Sequence, residues 1–377
     1  MWDKDRAYRF IFLMGFVSLL SDFTYEGAKG IIGPYLAYLG ASALAVGLIS
    51  GLAELAGYWI RLLSGILSDK FKSYWLFTLW GYALNLFSVP LLAFVKSWPM
   101  AGLLVFLERF GKGLRTPSRD ALLSRATSRV GHGKGFGLHE FLDQVGAVLG
   151  PLVVGLLLFL GLGYRGSFLF LFIPAFLALS LLFLAKKVYK DSVEDESFQH
   201  GSFPLPREFY VYILSACLVA LAFLPFPLMG FHLTKEGFEG WKVSVLFALA
   251  MSLDAIFALL FGLLFDKIGF SALALGLSFG IFTAPLLFVA KKPLLALVLW
   301  GASLGVQESI MRSAVAKLSP EKGRAKAYGL FHFFFGLFAF FGASLMGYLY
   351  ETSLTALVFY SVILQLIAVA ILLRLKL

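Results

Sequence analysis

The stretch GILSDKF at residues 65–71 returns in altered form as GLLFDKI at residues 262–268. Both follow the pattern Gly-x-Leu-x-Asp-Lys, and each stands where a long apolar segment ends. The chain has 377 residues, so the two copies are separated by roughly half of its length. Recurrence at that distance predicts an internal duplication in which each half carries its own copy of the motif.

The composition is that of a membrane protein. Hydrophobic residues make up 60% of the chain and charged residues 14%, outside the usual range of soluble domains. Twelve apolar stretches are each long enough to cross a hydrocarbon core as a helix. The sequence therefore predicts an all-α membrane protein with spans near 10–39, 42–67, 74–95, 98–118, 136–161, 166–185, 208–231, 243–265, 269–290, 293–314, 327–349 and 354–373.

The distribution of charge predicts the orientation. Lys and Arg are concentrated in the loops that share a side with the N-terminus, so we expect both termini to be cytoplasmic. This asymmetry accounts for the net charge of +10, and we expect the basic loops to face membrane lipids and not nucleic acid.

Cys217 is the single cysteine, which excludes an internal disulfide. The first span has no small-residue cleavage site and is expected to be retained.

A second pair of phrases supports the duplication. Arg119 precedes His139 by the same interval at which Arg312 precedes His332. Each half contains an even number of spans, so the halves should have the same orientation and form a parallel repeat. The predicted organisation is a six-helix bundle at 1–185, a cytoplasmic linker at 186–207 and a second six-helix bundle at 208–377.

These motifs resemble those of the major facilitator superfamily of secondary transporters, over essentially the whole chain. Gly65, Leu67, Asp69 and Lys70 match the superfamily's loop motif between spans two and three. Arg109 with the following glycines resembles its span-four arginine motif, with Lys112 present and the usual glutamine missing. The resemblance implies two parallel bundles that rock around a central cavity lined by spans one, four, seven and ten.

Two further resemblances concern the branch of the superfamily. GAVLGPLVVG at 146–155 is similar to a span-five motif of drug-proton antiporters, which implies efflux driven by inward proton flow. The phrases SDFTYEG, ERFGKGLRTPSRDALL and FGLHEFLDQVGAVLGP resemble a little-characterised prokaryotic branch. The implied location is the inner membrane of a prokaryotic cell.

The loop motif predicts a latch at the cytoplasmic end of the spans. Asp69 at a helix end can face Arg115 or Arg119 and the positive end of a helix from the other half. Small Gly65 would permit close helix approach. The alternative is that Asp69 is a turn residue before a solvated lysine. The predicted latch residues are Gly65, Asp69, Lys70, Arg115, Arg119, Asp266 and Arg312.

Charges at membrane depth predict a polar belt around a cavity, because each is costly unless it faces water or another charge. Asp22, Glu26 and Lys29 share one helix face. Burial raises the pKa of a carboxyl group and a nearby cation lowers it, so an acid beside a base can act as a proton switch. Static interhelical salt bridges are the alternative. The predicted cavity and proton-coupling residues are Asp22, Glu26, Glu54, Glu108, Arg109, Lys112 and Asp254.

Span five carries a predicted network of its own. His139 and Asp143 are one turn apart and either extend the belt or serve packing and the latch. The small residues that follow favour tight packing against a neighbouring helix. The predicted network is His139, Asp143, Gly146, Gly150 and Pro151.

The leading hypothesis is a monomeric proton-coupled exporter of small amphipathic or cationic molecules that works by alternating access. Carboxylates outnumber Lys and Arg within the predicted spans, which favours protons or a cationic substrate. An importer, a uniporter or a lipid flippase would use the same machinery. An intramembrane enzyme with His139 and Asp143 as a catalytic pair is disfavoured, because Asp143 has no counterpart in the other half. We expect no cofactor and no metal site.

Overall fold

The computed structural model describes residues 4–189, 204–320 and 324–375, which are almost entirely helical and contain no β-strand. Two short pieces complete the helical spans, a 3-10 helix at Leu92–Phe94 and a π-helix at Pro285–Val289. The α-helices are α1 (Lys4–Tyr38), α2 (Ala43–Phe71), α3 (Tyr74–Leu91), α4 (Trp98–Val130), α5 (His132–Phe159), α6 (Gly163–Phe170), α7 (Phe172–Val188), α8 (Arg207–Ala222), α9 (Phe226–Lys235), α10 (Gly240–Ile268), α11 (Phe270–Ile281), α12 (Pro293–Leu318), α13 (Arg324–Thr352) and α14 (Leu354–Arg374).

All twelve predicted spans correspond to helices or helix pairs. Within the described residues, 11 helical segments are long and apolar enough to cross a membrane. The remaining predicted span is α4, whose many charged residues lower its mean hydropathy. Span seven is broken between α8 and α9, next to Pro225, because a proline removes a backbone hydrogen bond of the helix. The prediction of an all-α membrane fold is confirmed.

The helices extend further than the apolar stretches that predict them. α4 continues past the predicted end at position 118 and reaches Val130. The added segment RDALLSRATSRV is more polar than the predicted span and contains no proline, so the helix continues where apolar composition stops. Gly131, with φ +100, ends the helix in a backbone conformation that disfavours residues with a side chain. Hydropathy therefore locates the apolar part of this helix but does not locate its end.

The duplication is visible in the helix boundaries. α2 and α10 are equally long, and the offset between them equals the offset between the two Gly-x-Leu-x-Asp-Lys motifs. α5 and α13 end at Phe159 and Thr352, with the same offset as the one between His139 and His332. Secondary structure thus repeats in register with the motifs.

The described residues fall into two compact units. The first unit comprises the described parts of 1–40, 56–196 and 237–248, and the second those of 41–55, 197–236 and 249–377. α2 and α10 therefore each contribute to both units. Residues 190–203 of the predicted linker at 186–207 lie outside the described residues, and the predicted domain boundaries stay predictions.

Candidate functional site

The candidate site lies in the first unit and begins with one face of α1. Asp22 and Glu26 are one turn apart, and their exposed fractions are 5% and 4%. The Glu26 carboxylate lies 3.2 Å from Nζ of Lys29. Tyr25 donates a hydrogen bond from its hydroxyl to the Asp22 carboxylate. Each of the two buried acids therefore has a polar partner on α1 itself.

Lys112 of α4 connects this face to the next helix. Its Nζ lies 3.9 Å from Oε1 of Glu26 and 4.0 Å from the centroid of the Tyr25 ring. The Glu26 carboxylate is thus held between the ammonium groups of Lys112 and Lys29. In an interior with little water these attractions are strong, and a proton on Glu26 would leave two cations without their shared counter-charge. The charge of Glu26 therefore affects how α1 holds α4.

Glu108 forms a second group of contacts, between α3 and α4. Nδ2 of Asn85 donates to Oε1 of Glu108 at 2.8 Å and to the Glu108 carbonyl at 3.1 Å. Nε of Arg109 lies 3.5 Å from Oε2 of the same carboxylate. Glu108 is therefore buried with a hydrogen-bond donor on one side and a cation on the other, as a buried carboxylate requires.

Arg115 is the most deeply buried cation of the site. Only 1% of the residue is exposed. Its guanidinium carbon lies 4.0 Å from the centroid of the Tyr82 ring and 5.9 Å from that of Tyr25. A Cβ at Gly81 would lie 2.6 Å from Cβ of Arg115, so the glycine is what allows α3 to approach α4 here. The aromatic faces provide cation–π stabilisation of the buried charge.

α5 adds an acid and an imidazole to the same unit. The carboxylate of Asp143 accepts a hydrogen bond from the hydroxyl of Ser18 on α1. His139, one turn earlier, is also buried. The carbonyl of Pro151 accepts a hydrogen bond from the Ser244 hydroxyl of α10 at 2.8 Å. α5 is therefore joined to α1 and to the first turns of α10 by side-chain hydrogen bonds.

Gly146 and Gly150 lie directly against the backbone of α1. A Cβ at Gly146 would meet the backbone of Leu19, and one at Gly150 the backbone of Phe23, at 2.9 Å from its Cα atom. Backbone atoms have no rotamers with which to move aside. This pair of glycines, one helical turn apart, thus sets the close approach of α5 to α1.

Other predicted latch residues have different neighbours from those expected. The Asp69 carboxylate accepts a hydrogen bond from the Tyr74 hydroxyl at 2.8 Å. Nη2 of Arg119 lies 2.7 Å from Oδ1 of Asp120, and Arg115 lies between tyrosine rings. The predicted pairing of Asp69 with either arginine is therefore absent from the described residues, and the latch stays a prediction.

The remaining predicted residues lie in the loop motifs and in the second unit. A Cβ at Gly65 would lie 3.6 Å from Cβ of Pro117, an ordinary packing distance. Lys70 is exposed. Asp254 is buried and Glu54 half-buried, and both belong to the second unit, as do Asp266 and Arg312.

Sequence reasoning missed three aromatic or amide side chains of the site. Asn85 is the chain's single asparagine and stands in an apolar span, a signal that could have drawn attention to it. Tyr25 lies between two predicted acids on α1 and could also have been noticed. Tyr82 gives no signal, because tyrosines are common in this chain and its role follows only from its contact with Arg115.

The charges of the site differ in balance from those of the predicted spans. Counted with Asp120, the partner of Arg119, the site has as many acids as cations, whereas acids outnumber cations over all twelve predicted spans. Within the described residues, no group of three or more His, Cys, Asp or Glu side chains could hold a metal ion. We define the charged cluster as Asp22, Glu26, Lys29, Glu108, Arg109, Lys112, Arg115, Arg119 and Asp143.

Sequence comparisons identify relatives over nearly the full length. The family model of the Major Facilitator Superfamily matches residues 11–306. An uncharacterized protein of Mycobacterium bovis is 38% identical over 98% of this chain and 94% of its own. An uncharacterized MFS-type transporter of Methanocaldococcus jannaschii is 31% identical over 91% of this chain and 89% of its own. A multi-drug resistance efflux pump PmrA homolog of Lactococcus lactis is 33% identical over 34% of this chain and 33% of its own.

Solved structures with the same fold are also transporters. The nucleoside transporter NupG has a TM-score of 0.71 at 16% identity, covering 97% of this chain and 100% of that one. The peptide transporter POT in complex with sulfate has a TM-score of 0.77 at 17% identity, covering 99% of each chain. At these identities the likeness concerns the fold alone.

Proposed function

The chain belongs to the Major Facilitator Superfamily, and from that premise we propose that it exports small amphipathic or cationic molecules in exchange for protons. Its membrane-transporter class follows from the family, whose members move small molecules and are not enzymes. The proposal concerns the direction of transport, the coupling ion and the substrate class. It rests on the charged cluster of the first unit.

The position of Glu26 between two ammonium groups carries the proposal. When Glu26 is ionised it attracts Lys29 and Lys112 and so helps to hold α1 to α4. When it is protonated the two cations repel each other and the contact weakens. By the resemblance to the superfamily, α1 and α4 would line the central cavity. Proton binding would therefore bias the alternation between open sides.

Asp22 gives the same helix face a second proton-binding group. Asp22 accepts a hydrogen bond from Tyr25, and the Tyr25 ring lies against the ammonium group of Lys112. Asp22 and Glu26 are therefore both linked to Lys112. A substrate cation entering here would compete with Lys112 for the carboxylates. Substrate and proton would then be mutually exclusive occupants, which is the requirement for exchange.

Two observations support export. The span-five motif at 146–155 is similar to that of drug-proton antiporters, and two of its glycines pack against the backbone of α1. The partial match to the efflux pump homolog of Lactococcus lactis points the same way over about a third of the chain. An importer, a uniporter or a lipid flippase remains the competing class of function, because the same rocking fold serves each.

A pH-jump assay in proteoliposomes tests the proposal, with ethidium as an amphipathic cationic probe. We expect ethidium to drive proton movement in the wild type, and we expect Glu26→Gln to reduce this movement at least about tenfold. Asp22→Asn should reduce it as well. The matched control is Glu236→Gln, which removes an exposed acid that pairs with Lys291 at 3.2 Å in the second unit.

Three results separate the possibilities. Proton movement that persists unchanged in the Asp22→Asn plus Glu26→Gln double variant would eliminate the proton-site assignment. Ethidium transport without proton movement in any direction would eliminate coupling and favour a uniporter. Loss of coupling in Glu236→Gln would mean that the assay reports general damage and not the charged cluster.

A further inference from the structure

An open cavity of about 720 Å³ in the second unit contains the predicted latch residues Asp266 and Arg312 and lies outside the charged cluster on which the proposed function rests. It lies where α10 ends, beside the last turns of α12 and the first turns of α13. The cavity is open to its surroundings, and Arg312, Ser313 and Lys317 are exposed residues. Its polar lining consists of Asp266, Arg312, Ser313, Lys317, Tyr328 and His332.

Arg312 presents its guanidinium to this cavity. Its Nε donates to the Glu308 carbonyl at 2.7 Å, which fixes the position of the side chain. The Tyr328 hydroxyl donates to the Arg312 carbonyl at 2.9 Å, which holds α13 against α12. Among the described residues, no carboxylate forms an ion pair with Arg312. Its terminal nitrogen atoms are therefore positioned for an acceptor from outside the described chain.

Lys317 supplies a second cation to the same cavity. Its Nζ lies 5.4 Å from the centroid of the Phe265 ring, which also lines the cavity. It also lies 3.6 Å from where a Cβ at Gly269 would stand, close to the end of α10. Gly269 stands between the last residue of α10 and the first residue of α11, so the Lys317 ammonium lies beside the connection between these two helices.

The repeat shows that this charge is particular to the second unit. Arg119, the counterpart of Arg312 in the repeat, is neutralised by Asp120 at 2.7 Å. Ser313 stands where that acid stands in the first unit, and Lys317 stands where the first unit has Ser124. At matching positions the second unit therefore has a serine in place of an acid and a lysine in place of a serine.

We propose that this cavity binds an anion of phosphate chemistry. A phosphate group offers several acceptor oxygens to the Arg312 fork, the Lys317 ammonium and the Ser313 hydroxyl. The cavity is larger than a bare phosphate, which favours a phosphate carried by a larger molecule. The carrier is either an anionic phospholipid or a free phosphate-bearing solute. Asp266 limits the negative charge that the site accepts.

Binding to the full-length protein in phosphatidylcholine nanodiscs tests the proposal. The probes are inorganic phosphate in solution and phosphatidylglycerol in the nanodisc, with chloride at equal ionic strength as reference. We expect at least one probe to raise the unfolding temperature of the wild type above the chloride value. Arg312→Gln and Ser313→Asp should weaken that binding about tenfold, by removing the cation or restoring the acid of the first unit.

Two further variants make the test specific. Lys267→Gln removes an exposed lysine next to Asp266 that does not line the cavity, and it should bind like the wild type. Asp266→Asn removes the acid from the cavity and should bind at least as tightly as the wild type. An effect of phosphate alone identifies a soluble ligand, and an effect of phosphatidylglycerol alone identifies a lipid.

The proposal is overturned if neither probe acts beyond chloride, or if Ser313→Asp binds as the wild type does. It is also overturned if Lys267→Gln and Arg312→Gln weaken binding equally, which would indicate a general surface charge effect. Ser313 is exposed, so Ser313→Asp keeps the test decisive even where Arg312→Gln does not fold. None of these outcomes depends on proton coupling or on the direction of transport.

Discussion

α4 of the first unit and α12 of the second unit occupy matching places in the sequence repeat but carry different chemistry. Glu108, Arg109 and Lys112 belong to the charged cluster on α4. The residues at the corresponding positions of α12 are Gly301, Ala302 and Gly305. A Cβ at Gly305 would lie 2.9 Å from the carbonyl carbon of Asp254, so this part of α12 is in close backbone contact with α10.

The difference shows that matching helices of a duplicated fold can have different roles. A buried ion pair costs desolvation and contributes little net stability, so a charged interior is retained where charge has a function. Close glycine packing needs no charge and stabilises through contact alone. We infer that the first unit has kept the ion chemistry and that the corresponding part of the second unit has become a packing surface.

Among the variants that test this difference between α4 and α12, the largest loss of stability is expected from Asn85→Leu. Asn85→Leu removes the donor to Glu108 but keeps a similar volume, so a buried carboxylate loses a hydrogen bond. We expect a loss of about 2 to 3 kcal/mol in the free energy of unfolding. Equilibrium unfolding in mixed detergent micelles measures it.

Two further variants test the cause of this loss. Glu108→Gln in the Asn85→Leu background should recover part of it, because the buried charge is gone. Thr78→Val is the matched control on α3, since the Thr78 hydroxyl is buried and makes no hydrogen bond among the described residues. An equal loss in Thr78→Val would show that α3 tolerates no substitution and that Glu108 is not the reason.

A somewhat smaller effect is expected from Gly305→Ala, which tests the packing side of the comparison. The added methyl group would meet backbone atoms of Asp254 and Ala258, which have no rotamers with which to move aside. We expect a loss of about 1 to 3 kcal/mol in the free energy of unfolding, measured in the same micelles.

Gly262→Ala is the matched control, on the partner helix α10. A Cβ at Gly262 would meet nothing within 4 Å, so the substitution should stabilise the helix by about 0.5 to 1 kcal/mol. Opposite signs for the two glycines would support close packing as the role of Gly305. A neutral Gly305→Ala would mean that α10 and α12 separate easily, and the contrast with α4 would weaken.

The sequence predicts those features of the fold that depend on composition and on the spacing of motifs. Apolar stretches are sufficient to locate all twelve spans, and the spacing of the two motifs predicts the repeat that the boundaries of α2 and α10 show. Family membership is confirmed by the match over residues 11–306. These features depend on composition and period, which a single sequence contains.

Contacts between helices were harder to predict from the sequence. The acids on α1 were expected to share a face, but their pairing with Lys112 depends on how α4 is rotated about its axis. Arg115 was expected at a cytoplasmic latch facing Asp69, whereas the structure places it between tyrosine rings inside a helix that continues to Val130. Rotation and helix length depend on packing partners, which hydropathy does not encode.

The smallest expected effect concerns the arginines that the repeat relates. Asp120→Asn removes the partner of Arg119, but Asp120 is 44% exposed, so we expect the free energy of unfolding to fall by no more than about 1 kcal/mol. The variant gives the first unit the uncharged neighbour that Ser313 provides in the second. Equilibrium unfolding in the same micelles measures this loss. Because Ser124 stands where the second unit has Lys317, the variant should bind phosphate no more tightly than the wild type. A loss well beyond the range of exposed ion pairs would mean that the Arg119–Asp120 pair stabilises the fold. The ends of α4 and α12 would then differ in their contribution to stability as well as in charge.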